Sequence, residues 1–114
     1  TPHAGEFVRL AGTQPDYREA KKVAETTGAV VLLKGNPTFV LGTEEWVVNA
    51  GGPELATIGT GDVLAGVVAA RWTGMDGEIA ARSGAFWHGV AGADLASRRI
   101  VTATELMSTV GEFL

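Results

Sequence analysis

Apolar and polar positions along the chain change their period several times, and each change marks an element. Residues 5–10 predict a short helical turn with Phe7 and Leu10 on one face. The Gly12-Thr13-Gln14-Pro15 run breaks it. Asp16 stands three residues before Glu19, a capping-box spacing that starts a helix. Tyr17, Ala20, Val23 and Ala24 form its apolar stripe, and Gly28 is placed to end it in the left-handed conformation. Residues 29–33 are apolar throughout, the pattern of a strand buried on both faces, as in a parallel sheet covered by helices. Lys34-Gly35-Asn36-Pro37 interrupts, and residues 38–41 and 46–48 read as a hairpin that turns at residues 42–45, followed by a glycine-rich loop over 49–53. From Val63 the spacing is helical and apolar almost all round, which predicts a buried central helix ending near Gly74. Asp76 opens another helix with Ile79, Ser83, Phe86, Trp87 and Val90 at helical spacing. Thr102 and Glu105 repeat the capping-box spacing, with Leu106, Val110 and Phe113 facing one way. Strands followed by helices, without internal repeats, make the fold class α/β.

At 114 residues the chain suffices for one domain and not for two. Its 9 Lys and Arg against 13 Asp and Glu give a net charge of −4, which argues against sequence-independent nucleic-acid binding and against an anionic membrane surface. The three tryptophans are not interleaved with a basic patch, so a stacking platform for single strands is not expected. The lack of cysteine removes disulfides, thiolate zinc sites and a cysteine nucleophile, and fits a reducing cytosol. Two distant histidines and scattered carboxylates lack metal-ligand spacing. Glycine stands out, with 16 of 114 residues, about twice the usual share. The chain opens on Thr1-Pro2-His3, which reads like the end of a strand, and a piece of a longer protein is expected.

Three segments carry candidate chemistry. In Leu55-Ala56-Thr57-Ile58-Gly59-Thr60-Gly61-Asp62, glycines flank a threonine just before an apolar helix. Free amides and the positive dipole end there suit an anion, and Gly59 and Gly61 admit a phosphate closely. Asp62, in the first turn, is placed to accept a proton from a hydroxyl beside that phosphate. The same residues equally fit a plain helix cap after a flexible turn. Lys34-Gly35-Asn36-Pro37-Thr38 follows the buried strand, at the sheet edge where ligands of open α/β sheets bind. Lys34 suits phosphate oxygens, Gly35 the approach of a flat ring or ribose, and Thr38 offers a hydroxyl; an ordinary turn fits as well. In Thr1-Pro2-His3-Ala4-Gly5-Glu6, Gly5 allows a sharp turn and Glu6 suits a helix N-terminus, while His3 either binds substrate or hydrogen-bonds the backbone. His88, among Phe86, Trp87 and Val90, reads as a packing or surface residue.

Taken together and in this order, the TPHAGE opening, the VLLKGNPT segment and the LATIGTGDVLAG segment resemble the ADP-dependent NAD(P)H-hydrate dehydratases, carbohydrate-kinase-like members of the ribokinase superfamily. TPHAGE separates that family from most sugar kinases of the fold, whereas GTGD is shared across the superfamily. The resemblance covers essentially the whole chain, and implies the C-terminal portion of a single ribokinase-like domain, residues 1–114, from a helix-covered and mainly parallel sheet. It further implies nicotinamide-nucleotide repair: the S-form of NAD(P)H hydrate is dehydrated with ADP as co-substrate, releasing AMP and phosphate. On the matching positions, Asp62 is the catalytic and substrate-binding aspartate and His3 a substrate-binding residue. Lys34, Gly35, Asn36, Pro37 and Thr38 hold the AMP part, Gly61 contacts the nucleotide, and Gly59 with Thr60 helps to form the anion hole. Magnesium is expected from the family, without an identified ligand in this chain. A cytoplasmic protein, homo-oligomeric when full length, is expected. An isolated C-terminal portion is expected to expose sheet edge and helix faces and to be inactive or marginal. Two other readings share the residues: a ribokinase-like kinase of a small alcohol or vitamin precursor, and a non-catalytic nucleotide-binding module.

Overall fold

The computed structural model describes all 114 residues. Two helices, α1 (Ala4–Ala11) and α2 (Tyr17–Thr27), precede strands β1 (Val31–Leu33), β2 (Thr38–Leu41) and β3 (Glu45–Val48). A 3-10 turn at Pro53–Leu55 leads into α3 (Thr60–Trp72), α4 (Gly77–Ala96) and α5 (Ala103–Phe113). The local signals act where the sequence puts them. Asp16 accepts the Glu19 amide at 2.9 Å to start α2, and Thr102 accepts the Glu105 amide at 3.3 Å to start α5. Gly28 ends α2 at a φ of 72°. β2 and β3 form the expected hairpin, with Val40 opposite Trp46.

Side chains alternate across β1. Val31 and Leu33 pack with Phe7, Ala20 and Ala24 of the first two helices, whereas Leu32 packs with Val40, Leu64 and Ala85 on the other face. Helices therefore cover the sheet on both sides, α1 and α2 on one, α3 and α4 on the other, as an α/β reading requires. A third cluster, including Val67, Leu95, Leu106 and Val110, joins α3, α4 and α5.

Several expectations are corrected here. Every strand pair in the chain is antiparallel, in the order β1-β2-β3, and none is parallel. An all-apolar strand reports burial on both faces, and helices on both faces supply that burial whichever way the neighbouring strand runs. β1 is an edge strand; beyond it, the Lys34 amide donates to the Pro2 carbonyl at 2.8 Å. Helix α3 is not the buried centre: Leu64 and Val67 are buried, but Ala65, Gly66, Ala69 and Ala70 are exposed and Trp72 is 64% exposed. The central helix is α4, and its inner face is the small-residue side, with Ala81, Gly84, Ala85, His88, Ala91 and Gly92 buried. Ile79 and Phe86 point outward. Clearance decides this, because a side chain at Gly89 would collide with the Ala50 carbonyl and one at Gly92 with Leu55. On α1 only Phe7 is buried, and Leu10 is 69% exposed. Gly5 makes no turn; it lies within α1, where a Cβ would stand 3.2 Å from the His3 ring. No helix is long and apolar enough to cross a membrane.

Glu78, in the first turn of α4, fastens that helix to the hairpin. Its carboxylate accepts the Thr43 amide and hydroxyl, both at 2.8 Å, the Glu44 amide at 3.1 Å and the Trp46 indole N–H at 2.8 Å. The Arg82 guanidinium covers the same indole at 3.8 Å. Burial pushes this carboxyl up, but the bonds from Trp46, Thr43 and Glu44 outweigh it and hold it below its ordinary value. Its folded value thus lies below its unfolded one, so its stabilisation is present above the unfolded value and is lost as pH falls through the folded one. Glu78→Ala leaves these donors unpaired and is expected to cost about 3 kcal/mol in urea denaturation at pH 7. The difference from the parent should shrink as pH falls below the ordinary carboxylate value and through the lower folded one. A loss under about 1 kcal/mol would show that water replaces the carboxylate without penalty.

Candidate active site

The N-terminal end of α1, the carboxyl end of β1 and the N-terminal end of α3 meet around a cavity of about 540 Å³. Of the ten site residues expected from sequence, His3, Lys34, Gly35, Asn36, Thr38, Gly59, Thr60, Gly61 and Asp62 line it, and Pro37 does not. Segments up to sixty residues apart in sequence thus share one space.

The turn into α3 is the most constrained part. Gly59 caps the helix at a φ of 88°, a conformation in which a side chain is strained, and a Cβ there would also meet Ala103 at 2.9 Å. The Asp62 and Val63 amides both donate to the Gly59 carbonyl at 3.1 Å, and the Thr60 amide donates to the Thr57 carbonyl at 3.3 Å. The amides of Gly59 and Gly61 have no acceptor in the protein. Within residues 59–63 these are the donors left for an anion, and the Thr57 and Ile58 amides just before them are likewise without an acceptor. Thr60 is only 3% exposed, and its hydroxyl donates to the carbonyls of Leu55 and Thr57 at 2.6 and 2.7 Å. It holds the turn rather than facing a ligand.

Lys34 is the only Lys or Arg on the cavity wall. Its amine lies against Gly61, where a Cβ would come within 2.9 Å of Nζ, and it pairs with Glu6 at 3.7 Å. Gly61 therefore serves close approach, not an unusual φ. Glu6 accepts the His3 backbone amide at 2.8 Å, and this bond, helped by the Lys34 charge, holds its carboxyl below its ordinary value. In return the Glu6 amide donates to His3 Nδ1 at 3.2 Å, so His3 completes a capping box for α1. With Nδ1 accepting, the ring's hydrogen sits on Nε2, which lies 3.5 Å from the Glu6 carboxylate and on the cavity side. His3 is thus the backbone partner that one reading expects, and it also lines the cavity. Thr38 donates to the Gly35 carbonyl at 3.0 Å and closes the Lys34–Thr38 turn. The Asp62 carboxylate is exposed and has no hydrogen bond or ion pair within the protein.

Of the cavity residues outside the expected set, two carry ionisable side chains, Glu6 and His88. The sequence marks Glu6 only as a helix N-terminal residue, yet it contacts both His3 and Lys34. His88 is 5% exposed and reaches the Thr60 carbonyl through Nε2 at 2.8 Å. Burial pushes its imidazole below the ordinary value and the Lys34 charge adds to this, against the opposing Thr60 bond. The available signal was the row of small residues at Ala81, Ala85, Gly89 and Gly92, which marks the helix face on which His88 lies.

These residues do not by themselves make a magnesium site. No three His, Asp or Glu side chains converge anywhere in the structure, whereas magnesium bound to a nucleotide takes most of its ligands from phosphate and water.

The sequence profile of the NAD(P)H-hydrate dehydratase family matches residues 1–111. The chain belongs to this family. A bifunctional NAD(P)H-hydrate repair enzyme of Moorella thermoacetica is 43% identical over 108 residues, covering 87% of this chain and 20% of that protein. An ADP-dependent (S)-NAD(P)H-hydrate dehydratase of Xanthomonas campestris is 41% identical over 107 residues, covering 86% of this chain and 37% of that protein. Among solved structures, an ADP/ATP-dependent NAD(P)H-hydrate dehydratase from Bacillus subtilis, co-crystallised with ATP and Mg2+, superposes with a TM-score of 0.88 at 28% identity. It is covered over 44% of its length and this chain over 97%. A ribokinase-like superfamily protein from Enterococcus faecalis superposes with a TM-score of 0.86 at 28% identity, over 98% of this chain and 42% of its own. The family member described here therefore has a ribokinase-like α/β fold and spans less than half the length of these relatives.

Proposed function

We propose that the protein containing this chain repairs nicotinamide nucleotides, dehydrating the S-form of NAD(P)H hydrate with ADP as co-substrate. The observation that carries the reading is the convergence, on one cavity wall, of two unoccupied amides at Gly59 and Gly61, the Lys34 amine and the unpartnered Asp62 carboxylate. Phosphoryl transfer asks for this combination: donors and a cation on the phosphate, and a base beside the attacking hydroxyl. The names of the relatives point to the same chemistry.

In this reading Asp62 takes the proton of the hydrate's hydroxyl as its oxygen forms a bond to the β-phosphorus of ADP. The bond from that phosphorus to the bridging oxygen breaks, and AMP leaves. The new phosphate ester then departs as phosphate while the neighbouring carbon gives up its proton to water, which restores the ring double bond. Hydrate and ADP thus become NAD(P)H, AMP and phosphate. His3 donates from Nε2 to the hydrate, and the Lys34–Thr38 turn holds the AMP part. Gly59 and Gly61 hold the transferring phosphoryl group, with Thr60 shaping their turn. Magnesium, if bound with the nucleotide, would neutralise phosphate charge. Residues 1–114 form the C-terminal portion of a single ribokinase-like domain, in a cytoplasmic protein that is homo-oligomeric when full length.

The test is to incubate the full-length protein with ADP and the S-form hydrate. Recovery of NADPH absorbance with equimolar AMP and phosphate is expected. A stable phosphorylated product would instead indicate a small-alcohol kinase, and ADP binding without chemistry a nucleotide-binding module.

A further inference from the structure

We propose that His88 is a positioning residue of this site, holding the first peptide of α3 so that the Gly61 amide is aimed at the nucleotide's phosphate. The inference rests on the nucleotide reading above. His88 lies in the middle of α4, 28 residues from its partner, and its Nε2 stands 2.8 Å from the Thr60 carbonyl oxygen. A carbonyl only accepts, so Nε2 carries the proton and donates it.

That carbonyl belongs to the same planar peptide as the Gly61 N–H. In a trans peptide the two point in opposite directions, so fixing one fixes the other. The Gly61 amide is left without an acceptor in the protein. Drawing the Thr60 carbonyl toward His88 also polarises the peptide, which strengthens the Gly61 N–H as a donor. The helix does not need this bond for satisfaction, since the carbonyls of a helix's first turn already have intrahelical donors.

Two further contacts make the arrangement stiff. The Thr60 hydroxyl, tied to the carbonyls of Leu55 and Thr57, fixes the same residue from its other side. Gly89 and Gly92, one and four residues beyond His88, let α4 lie directly on Ala50 and Leu55, so the imidazole is held at a set height against the turn. A neutral imidazole suits the position, as it grips the carbonyl without placing a second cation beside Lys34.

The experiment compares three variants of the full-length protein. His88→Gln can present an amide donor where Nε2 stands; His88→Asn is polar but too short to do so; His88→Leu fills the space without a donor. The readouts are KM and Kd for ADP, kcat, KM for the hydrate and the thermal midpoint. His88→Leu and His88→Asn are expected to raise Kd and KM for ADP about tenfold and to lower kcat about tenfold, leaving KM for the hydrate within about threefold. His88→Gln should stay within about threefold of the parent throughout. Should the Leu variant fail to fold, the Asn and Gln pair decides. Unchanged Kd for ADP in the Asn and Leu variants overturns the proposal, as does a loss of kcat that only follows the folded fraction in all three. A parent that binds ADP without hydrate turnover sinks the dehydratase reading but leaves the Kd comparison decisive. A parent that binds no ADP sinks both.

Discussion

Asp62→Asn in the full-length protein is expected to lower kcat for hydrate dehydration by about 1,000-fold, while ADP binds as tightly as before or slightly more tightly. Asn keeps the size and shape of the side chain but cannot take a proton at neutral pH. Asp62 makes no hydrogen bond or ion pair within the protein, so the substitution leaves no partner stranded and the fold loses only the weak attraction of the carboxylate to the α3 dipole. The donors available to the nucleotide, the Gly59 and Gly61 amides and the Lys34 amine, are untouched. Removing a negative charge from beside a phosphate favours binding if it changes it at all. Steady-state kinetics and calorimetry on the same preparation separate the two effects. A variant that keeps more than about a tenth of the parent kcat would exclude Asp62 as the base, since general-base catalysis is worth at least about 100-fold.

Lys34→Met is expected to weaken ADP binding by about 10- to 100-fold, the range for losing a charged hydrogen bond. The cavity wall carries no other Lys or Arg to take over. Glu6, left without its cationic neighbour, adds repulsion to the loss. Gly61→Ala makes an informative companion, because its Cβ would enter the space now held by Nζ. The lysine end can move aside, so stability should hardly change, whereas ADP affinity should fall by about tenfold through displacement of the amine. Titration calorimetry checks both. If Lys34→Met binds ADP within about threefold of the parent, the amine does not contact the phosphates and the cradle consists of backbone alone.

Much of the architecture was legible from local chemistry. Caps at Asp16 and Thr102, the left-handed Gly28 and the hairpin strands are decided by residues within a few positions of one another, and such signals survive into the structure unchanged. The misreadings share one origin. Ile79, Phe86 and Val90 set the expected phase of α4 because they are the large apolar residues, yet the inner face is where the neighbours leave least room. Hydrophobicity measures what gains from burial; clearance to Ala50, Leu55 and Val68 determines what fits, and that depends on other elements. The all-apolar β1 likewise revealed two covered faces but not the direction of its neighbour.

The site divides along the same line. By itself the sequence determined the three segments and their family, since the Gly59–Asp62 turn, the Lys34–Thr38 turn and the His3–Glu6 cap are each patterns of neighbouring residues. Only the tertiary structure decided which groups are free to act. It occupies the Thr60 hydroxyl and the Asp62 and Val63 amides while leaving Gly59, Gly61 and the Asp62 carboxylate open. It turns Gly61 into a seat for the Lys34 amine, and it brings His88 onto the Thr60 carbonyl. A hydrogen bond depends on distance and direction between atoms far apart in the chain, and no pattern of residue types along a sequence contains either.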